Sequence, residues 1–378
     1  MAAAPIGPLS VSPTDRTSLA RLAELALFGF VPLVFCLAWA VVLFRARTAV
    51  VDFQSAYYPA AVRLLAGHNP YAATQGQVVD GGAFVNPALT ALAFLPLGLV
   101  SGGLAQLIWT LACIACVPAI LWVLDVRDWR LYGLALLWSP VFDGWQTGNV
   151  TLPLVLAVAL VWRHRDRPLV AGLITAAAIS IKPFVWPLAL WLLATRRFRA
   201  TGWVLVWGVA LNLVAWLTVG VGQLGAYLRL SARVTAALWR GGYAVLAVAG
   251  QLGLGRGAGE VLLVAVAAAL GVAVFVVGWR HGHERDALVL AVLLMLVASP
   301  LVWNHYFSLL LVPLALTRPR LSLVWVVGLL MWPLPPRIPI HTWEQAIAWG
   351  ATAVVVVTAL RTGARAGDHP SPALAASA

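Results

Sequence analysis

Apolar residues run along this chain in long blocks, separated by short breaks that carry proline, glycine or arginine. The first block, about residues 22 to 44, is too long for a signal-peptide core and has no small-residue cleavage site behind it, so it predicts a retained helix. Blocks near 103–124, 131–142, 149–162, 168–181, 184–195, 200–220, 259–279, 286–300, 304–317, 321–334 and 343–360 bring the expectation to about 12 transmembrane helices. Block 84–100 is interrupted by Pro87, Pro96 and Gly98, and is expected to lie along the outer surface instead of crossing. Several blocks hold only 12–14 residues, against roughly 20 for a helix that spans alone. Short, proline-interrupted helices are tolerated where neighbours or a cavity satisfy their backbones, which implies a hollow in the bundle.

One region has a different period. Across 223–241, Tyr227, Leu230, Val234 and Leu238 share one helical face, and Arg229, Arg233 and Arg240 share the other. That pattern predicts a helix in the membrane interface, serving as an anchor or as a contact to a lipid substrate. The expected organisation is all-α: one multi-spanning domain over 1–362, with interfacial helices in a first outer loop at 45–102 and a disordered tail at 363–378.

Composition strengthens the membrane reading. The chain has 378 residues, 62% of them hydrophobic and only 10% charged. A soluble protein of that length could not hide so much apolar surface, so the solvent must be lipid. The net charge of +12 comes from 24 arginines and one lysine, Lys182. In a membrane protein this excess marks cytoplasmic loops and headgroup contacts, and nucleic acid is a poor partner for it. Placing Arg163–Arg167, Arg196–Arg199, Arg280–Arg285 and Arg318–Arg320 inside makes the crossings alternate consistently. It also leaves Asp52, Gln146, Asn149, Lys182 and His305 together at the outer side, in what reads as a plasma-membrane protein with an extracytoplasmic site. Cys36, Cys113 and Cys116 all fall in apolar blocks and read as small buried residues, despite the C-x-x-C spacing of the last two.

Few polar groups remain to carry chemistry. Asp52 follows the first apolar block and precedes Tyr57, Tyr58, His68 and Asn69, which can pack against and hydrogen-bond a sugar-sized substrate. Its functional reading is a general base; its plain reading is a helix-end carboxylate paired with Arg45 or Arg47. Lys182 either snorkels to headgroups or contacts a substrate phosphate. Gln146 and Asn149, with Asp143 as a reserve carboxylate, sit in a glycine-flanked turn suited to a plain loop or to binding. Trp303, Asn304, His305 and Tyr306 follow Pro300, as interfacial anchors or as ligand contacts, with His305 able to bind phosphate or act as a base. No glycine-rich phosphate loop, no outward Asp-x-Asp and no His/Glu metal cluster occurs, so no cofactor or metal is expected.

The ordered set of short motifs resembles glycosyltransferase family 87. It runs from Asp52 through Tyr57-Tyr58, Gly67-His68-Asn69-Pro70-Tyr71, Asn86-Pro87, Trp145-Gln146-Thr147-Gly148-Asn149 and Ile181-Lys182-Pro183 to Ser299-Pro300, Trp303 and His305-Tyr306. The family's usual Pro-Pro is here Asn86-Pro87. The resemblance implies a GT-C membrane enzyme that moves a sugar, typically mannose, from a polyprenyl-phosphate donor to a glycolipid or lipoglycan acceptor at the outer face. It implies Asp52 as catalytic base and His305 and Lys182 near the donor phosphate. Arg63 is placed with Lys182 as a phosphate contact, and His305 is carried as a second catalytic candidate. Arabinofuranose or glucose transfer stays open within the family. A transporter is the rival of another class, against which the lack of an internal repeat counts.

Overall fold

A computed structural model describes residues 13–46, 52–334 and 340–367, and those residues are helical with no strand among them. Helix α1 (Pro13–Leu25) passes through a π turn into α2 (Val31–Ala46). After Asp52 and a second π turn come α3 (Tyr58–Leu65), α4 (Gln75–Val79), α5 (Ala88–Ala93) and α6 (Leu95–Gly98). Helix α7 (Gly102–Val123) is long; α8 (Arg130–Leu136) and α9 (Ser139–Thr147) are short. Then follow α10 (Thr151–Arg163), α11 (Pro168–Ile181), α12 (Pro187–Ala194) and α13 (Phe198–Val219). The chain continues through α14 (Gln223–Leu238), α15 (Val245–Gln251), α16 (Arg256–His281) and α17 (Glu284–Val297). A 3₁₀ segment, Asn304–Leu310, leads into α18 (Leu311–Thr317), before α19 (Val327–Leu330) and α20 (Thr342–Gly367).

Proline explains much of this fragmentation. It occupies the first turn of α3, α6, α9, α11 and α12, where a missing N–H is best tolerated, and Arg167 before Pro168 and Lys182 before Pro183 are extended, which separates α10 from α11 and ends α11. Residues 84–100 accordingly form α5 and α6, two short pieces instead of a span. Among the described residues five helices are long and apolar enough to cross a membrane, or six if α9 and α10, bent by 118°, count as one broken span. That is fewer than the expected count of about 12, several of whose blocks hold only 12–14 residues. The shorter passages, α17 and α18 among them, are enclosed by other helices that supply their apolar surroundings.

Burial separates outer helices from inner ones. The apolar windows of Ser18–Val42, Phe198–Val219 and Arg256–Arg280 are only 11% buried and face outward, the expected lipid contact. Those of α7 and α20 are 39% and 44% buried. A continuous apolar cluster reaches from Cys36 to Val355, and close helix approaches hold it together. A Cβ at Gly133 would sit 1.8 Å from the Phe28 carbonyl oxygen, and one at Gly328 would overlap the Trp138 ring. Trp138 also donates its indole N–H to the Trp325 carbonyl at 2.9 Å.

Helix α14 has the expected two faces: Leu230, Val234 and Leu238 are buried, and Arg229, Arg233 and Arg240 are exposed. It packs on α4, where Arg233 donates to the Gln75 side chain at 2.8 Å. Helix α20 runs on through Gly367 and so takes in the first five residues of the expected tail, while residues 368–378 lie outside the described ones. Arg47, a partner considered for Asp52, also lies outside them.

The arginine clusters, far apart in sequence, meet at one end of the bundle. Glu284 takes both terminal nitrogens of Arg197, at 2.7 and 3.0 Å, and Arg165 at 3.2 Å. Arg197 also reaches Asp166, and Arg163 reaches Asp125 at 2.8 Å. Helices α7 and α12 both finish here with a non-glycine residue at positive φ, Asp125 and Arg196, closed by a bond from the following N–H to a carbonyl five residues back. Nearby, the Arg130 guanidinium holds the Asp128 carboxyl below its ordinary range. Asp128 also accepts the Leu321 N–H, which ties the Arg318–Arg320 turn to the same end.

Candidate active site

The opposite ends of α10 and α11 carry the candidate site. Each helix rises about 1.5 Å per residue, so the thirteen residues of α10 put its start roughly 20 Å from the arginine end. Asn149 stands in the turn before α10, behind Gly148, whose left-handed φ of 65° reverses the chain out of α9. Three donors fix its side-chain oxygen: the Thr151 N–H at 3.0 Å, the Thr151 hydroxyl at 2.6 Å and the Lys182 ammonium at 3.2 Å. With Oδ1 so engaged, the amide nitrogen must point the other way. It donates to Asp52 Oδ2 at 2.6 Å. The amide orientation follows from the donors around it.

Lys182 reaches this place because it precedes Pro183. The proline forces it to extended backbone, φ −151° and ψ 107°, which ends α11 and swings its side chain out of the helix. The Ile181 carbonyl, freed by the break, accepts the Thr90 hydroxyl at 2.7 Å and the Asn86 amide at 3.4 Å. Asn86 in turn accepts the Tyr71 hydroxyl at its carbonyl. The Asn86-Pro87 segment, where the motif departs from Pro-Pro, thus supports the break that presents Lys182. The ammonium lies 4.5 Å from the Tyr306 ring centre and 5.7 Å from that of Phe184, an aromatic seat that favours a cation.

Asp52 and Lys182 are therefore joined through one amide and do not form a direct ion pair. A direct pair would engage both groups with each other. The spacer leaves carboxylate oxygen and ammonium hydrogens available to a ligand, and both residues are only partly buried.

His305 sits beside Tyr306, with ring centres 5.1 Å apart. Its backbone N–H and its ring Nδ1 both meet Asp143 Oδ2, at 3.0 and 3.1 Å. Asn304 donates to the Ser139 hydroxyl at 2.9 Å, a contact that fastens the 3₁₀ segment to α9. Trp303 is half-buried against the tight turn at Gly242. Gln146 is half-buried in the last turn of α9.

Other expected site residues have scaffold contacts. Tyr57 is buried, stacked on Phe94 at 4.9 Å, and lies within electrostatic reach of Asp52 and Tyr306. Tyr58 donates to the Val100 carbonyl, away from Asn149. Arg63 donates to the Ala72 carbonyl and Asn69 caps its own turn through the Tyr71 N–H. His68 is exposed at that turn. Tyr58, Arg63, His68 and Asn69 are thus not brought into the Asp52–Asn149–Lys182 chain: Arg63 and Asn69 bond within the turn after α3, Tyr58 bonds to Val100, and His68 is exposed. Thr151, Phe184 and Thr90 complete the site without a sequence signal beyond their nearness to Asn149, Lys182 and Pro87. No group of three or more His, Cys, Asp or Glu among the described residues could hold a metal ion.

An all-helical membrane bundle with this polar chain at one end defines the class, and comparison with known proteins gives the family. The model of glycosyltransferase family 87 matches residues 84–300, more than half of the chain. The chain belongs to that family. The matched stretch contains Asp143, Asn149 and Lys182, with Asp52 and His305 flanking it. One relative is the polyprenol-phosphate-mannose-dependent alpha-(1-2)-phosphatidylinositol pentamannoside mannosyltransferase of Mycolicibacterium smegmatis (strain ATCC 700084 / mc(2)155). It is 27% identical over 307 residues, covering 72% of this chain and 66% of the relative. The protein of the same name from Mycobacterium tuberculosis (strain CDC 1551 / Oshkosh) is 25% identical over 301 residues, covering 72% and 63%. The chain spans slightly less than two thirds of the length of these relatives. No solved structure matches it.

Proposed function

We propose that this protein is a membrane mannosyltransferase that moves mannose from polyprenyl-phosphate mannose to a glycolipid or lipoglycan acceptor at the extracytoplasmic face. The observation that carries the reading is the Asp52–Asn149–Lys182 chain, a base and a cation held apart by one oriented amide. In this mechanism the acceptor hydroxyl gives its proton to Asp52 and attacks the anomeric carbon. The bond from that carbon to the phosphate oxygen breaks on the opposite face, so configuration inverts. The departing phosphate gains negative charge, which Lys182 stabilises. His305 is the second group assigned to the phosphate. The relatives support mannose as the sugar and a phosphatidylinositol mannoside as the type of acceptor.

Purified protein given polyprenyl-phosphate mannose and phosphatidylinositol mannosides should form a product with one added mannose. Transfer from the arabinofuranose or glucose donor in place of the mannose donor would reassign the sugar. Absence of transfer from all three would sink the enzyme reading.

The face is argued from charge. The arginine end lies about 20 Å from the site along α10, and arginine-rich ends stay cytoplasmic. Arg167 is exposed at that end, so a cysteine placed there should resist an impermeant thiol reagent applied to intact cells. Labelling before lysis would reverse the orientation.

A further inference from the structure

We infer that Asp143 is a positioning residue that aims His305 at the donor phosphate. The inference rests on the polyprenyl-phosphate reading and adds Asp143, which along the sequence reads as a reserve carboxylate. Both side chains are buried, with 6% of Asp143 and 4% of His305 exposed. One carboxylate oxygen receives two hydrogen bonds from the same residue, the His305 backbone N–H and ring Nδ1. An ionised carboxylate only accepts, so Nδ1 carries its hydrogen and the ring orientation is fixed at two points. Nε2 then projects from the other edge of the ring.

That projecting atom is buried and has no partner. It has company. Asp143 Oδ1, Trp145 Nε1 and Asn304 Oδ1 are also buried and unpartnered, and all four belong to residues of α9 or of the Asn304–Leu310 segment, which pack on each other. Buried polar atoms are normally satisfied, so a concentration of orphans marks a place where a polar ligand completes the bonding. The same segment carries Tyr306, whose ring lies against both His305 and the Lys182 ammonium. Histidine and lysine thus share one aromatic wall. The Lys182 ammonium gives that wall a positive charge, and the phosphate of the lipid donor is an anion that matches it.

During transfer no atom passes through Asp143. The glycosyl–oxygen bond breaks, its electron pair stays on the phosphate, and the acceptor proton goes to Asp52. His305 Nε2 donates a hydrogen bond to a phosphate oxygen as its charge grows, while Asp143 holds the ring. Donation from Nε2 while Nδ1 donates to Asp143 takes a hydrogen on both ring nitrogens.

The test compares binding of polyprenyl phosphate and of uncharged polyprenol to the purified full chain in nanodiscs, with no transfer needed. The natural protein should prefer the phosphate. Asp143→Asn should reduce that preference about tenfold, the usual effect of losing one charge-assisted hydrogen bond. His305→Gln should do the same, and the double variant should lose no more than either single one. A merely structural role for Asp143 would weaken both lipids alike and leave their ratio intact, which overturns the inference. Additive losses in the double variant overturn it too. If Asp143→Asn does not fold, Asp143→Glu replaces it: the retained charge should keep part of the preference, and an undiminished preference overturns the assignment. A natural protein that binds the two lipids equally would defeat the donor reading itself, a different outcome from preference retained in the variants.

Discussion

Asp52→Asn lowers mannosyl transfer by about 10²- to 10⁴-fold, the range for loss of a positioned general base, while the protein stays folded. The amide is nearly the same size as the carboxylate and its oxygen still accepts from Asn149, whose nitrogen lies 2.6 Å from Asp52 Oδ2. The site therefore keeps its shape, and what disappears is the ability to take a proton. Asp52→Ala is a harsher change. It strips the Asn149 amide of its acceptor in a partly buried setting, at a cost of about 1–3 kcal/mol. Both variants should be inactive, but Asn should retain the natural thermal midpoint more closely than Ala. Initial rates and unfolding temperature measured on the same preparations decide the matter. Near-normal turnover in Asp52→Asn would show that another group takes the proton.

Lys182→Met reduces kcat by about 10²- to 10³-fold, the scale seen when one preorganised electrostatic contact to developing charge is removed. Methionine matches the lysine stem in length and can still lie against the Tyr306 ring, 4.5 Å from the present ammonium. The lost element is the positive charge. Because charge on the phosphate grows as the sugar leaves, kcat should fall more than donor affinity does. Lys182→Arg should restore part of the rate, limited by a planar guanidinium in a seat shaped for a compact ammonium. A variant with Met whose kcat stays within a factor of two would remove Lys182 from the reaction. A fall confined to donor affinity would limit it to ground-state binding.

The two losses should not multiply. Asn149 joins the two side chains, so each substitution disturbs the partner's anchor, and residues in one hydrogen-bond network are not independent.

Much of the candidate site was visible along the chain because polar residues are scarce in it. Asp52, Asn149, Lys182 and His305 stand out as interruptions of apolar runs, and such interruptions are costly unless they are used. The same reasoning misplaced Arg63, Tyr58, His68 and Asn69. They share a short segment with Asp52, but Arg63 and Asn69 bond to the local backbone, Tyr58 reaches the Val100 carbonyl and His68 is exposed. Nearness in sequence was mistaken there for nearness in space. Asp143 reads as no more than a reserve carboxylate along the chain for the opposite reason: its contact His305 is 162 residues away, and no spacing rule links them. The helix count suffered likewise, since apolar blocks of 12–14 residues give no sign of whether they cross alone or sit enclosed by others.

The amino-acid order by itself determined a lipid-embedded helical chain, because 62% hydrophobic residues leave no other solvent that could hold it. It marked the break at Lys182-Pro183, since proline disfavours helix at its predecessor, and it determined which few charges could matter. Only the tertiary structure decided which of them meet. Asp52 and Asn149 are 97 residues apart and Asn149 and Lys182 are 33 apart, and their contact depends on how α10 and α11 pack. The direction of the Asn149 amide, and hence the separation of base from cation, is set by the Thr151 and Lys182 donors converging on its oxygen. A hydrogen bond is directional and short-ranged, so it takes its partners from the fold.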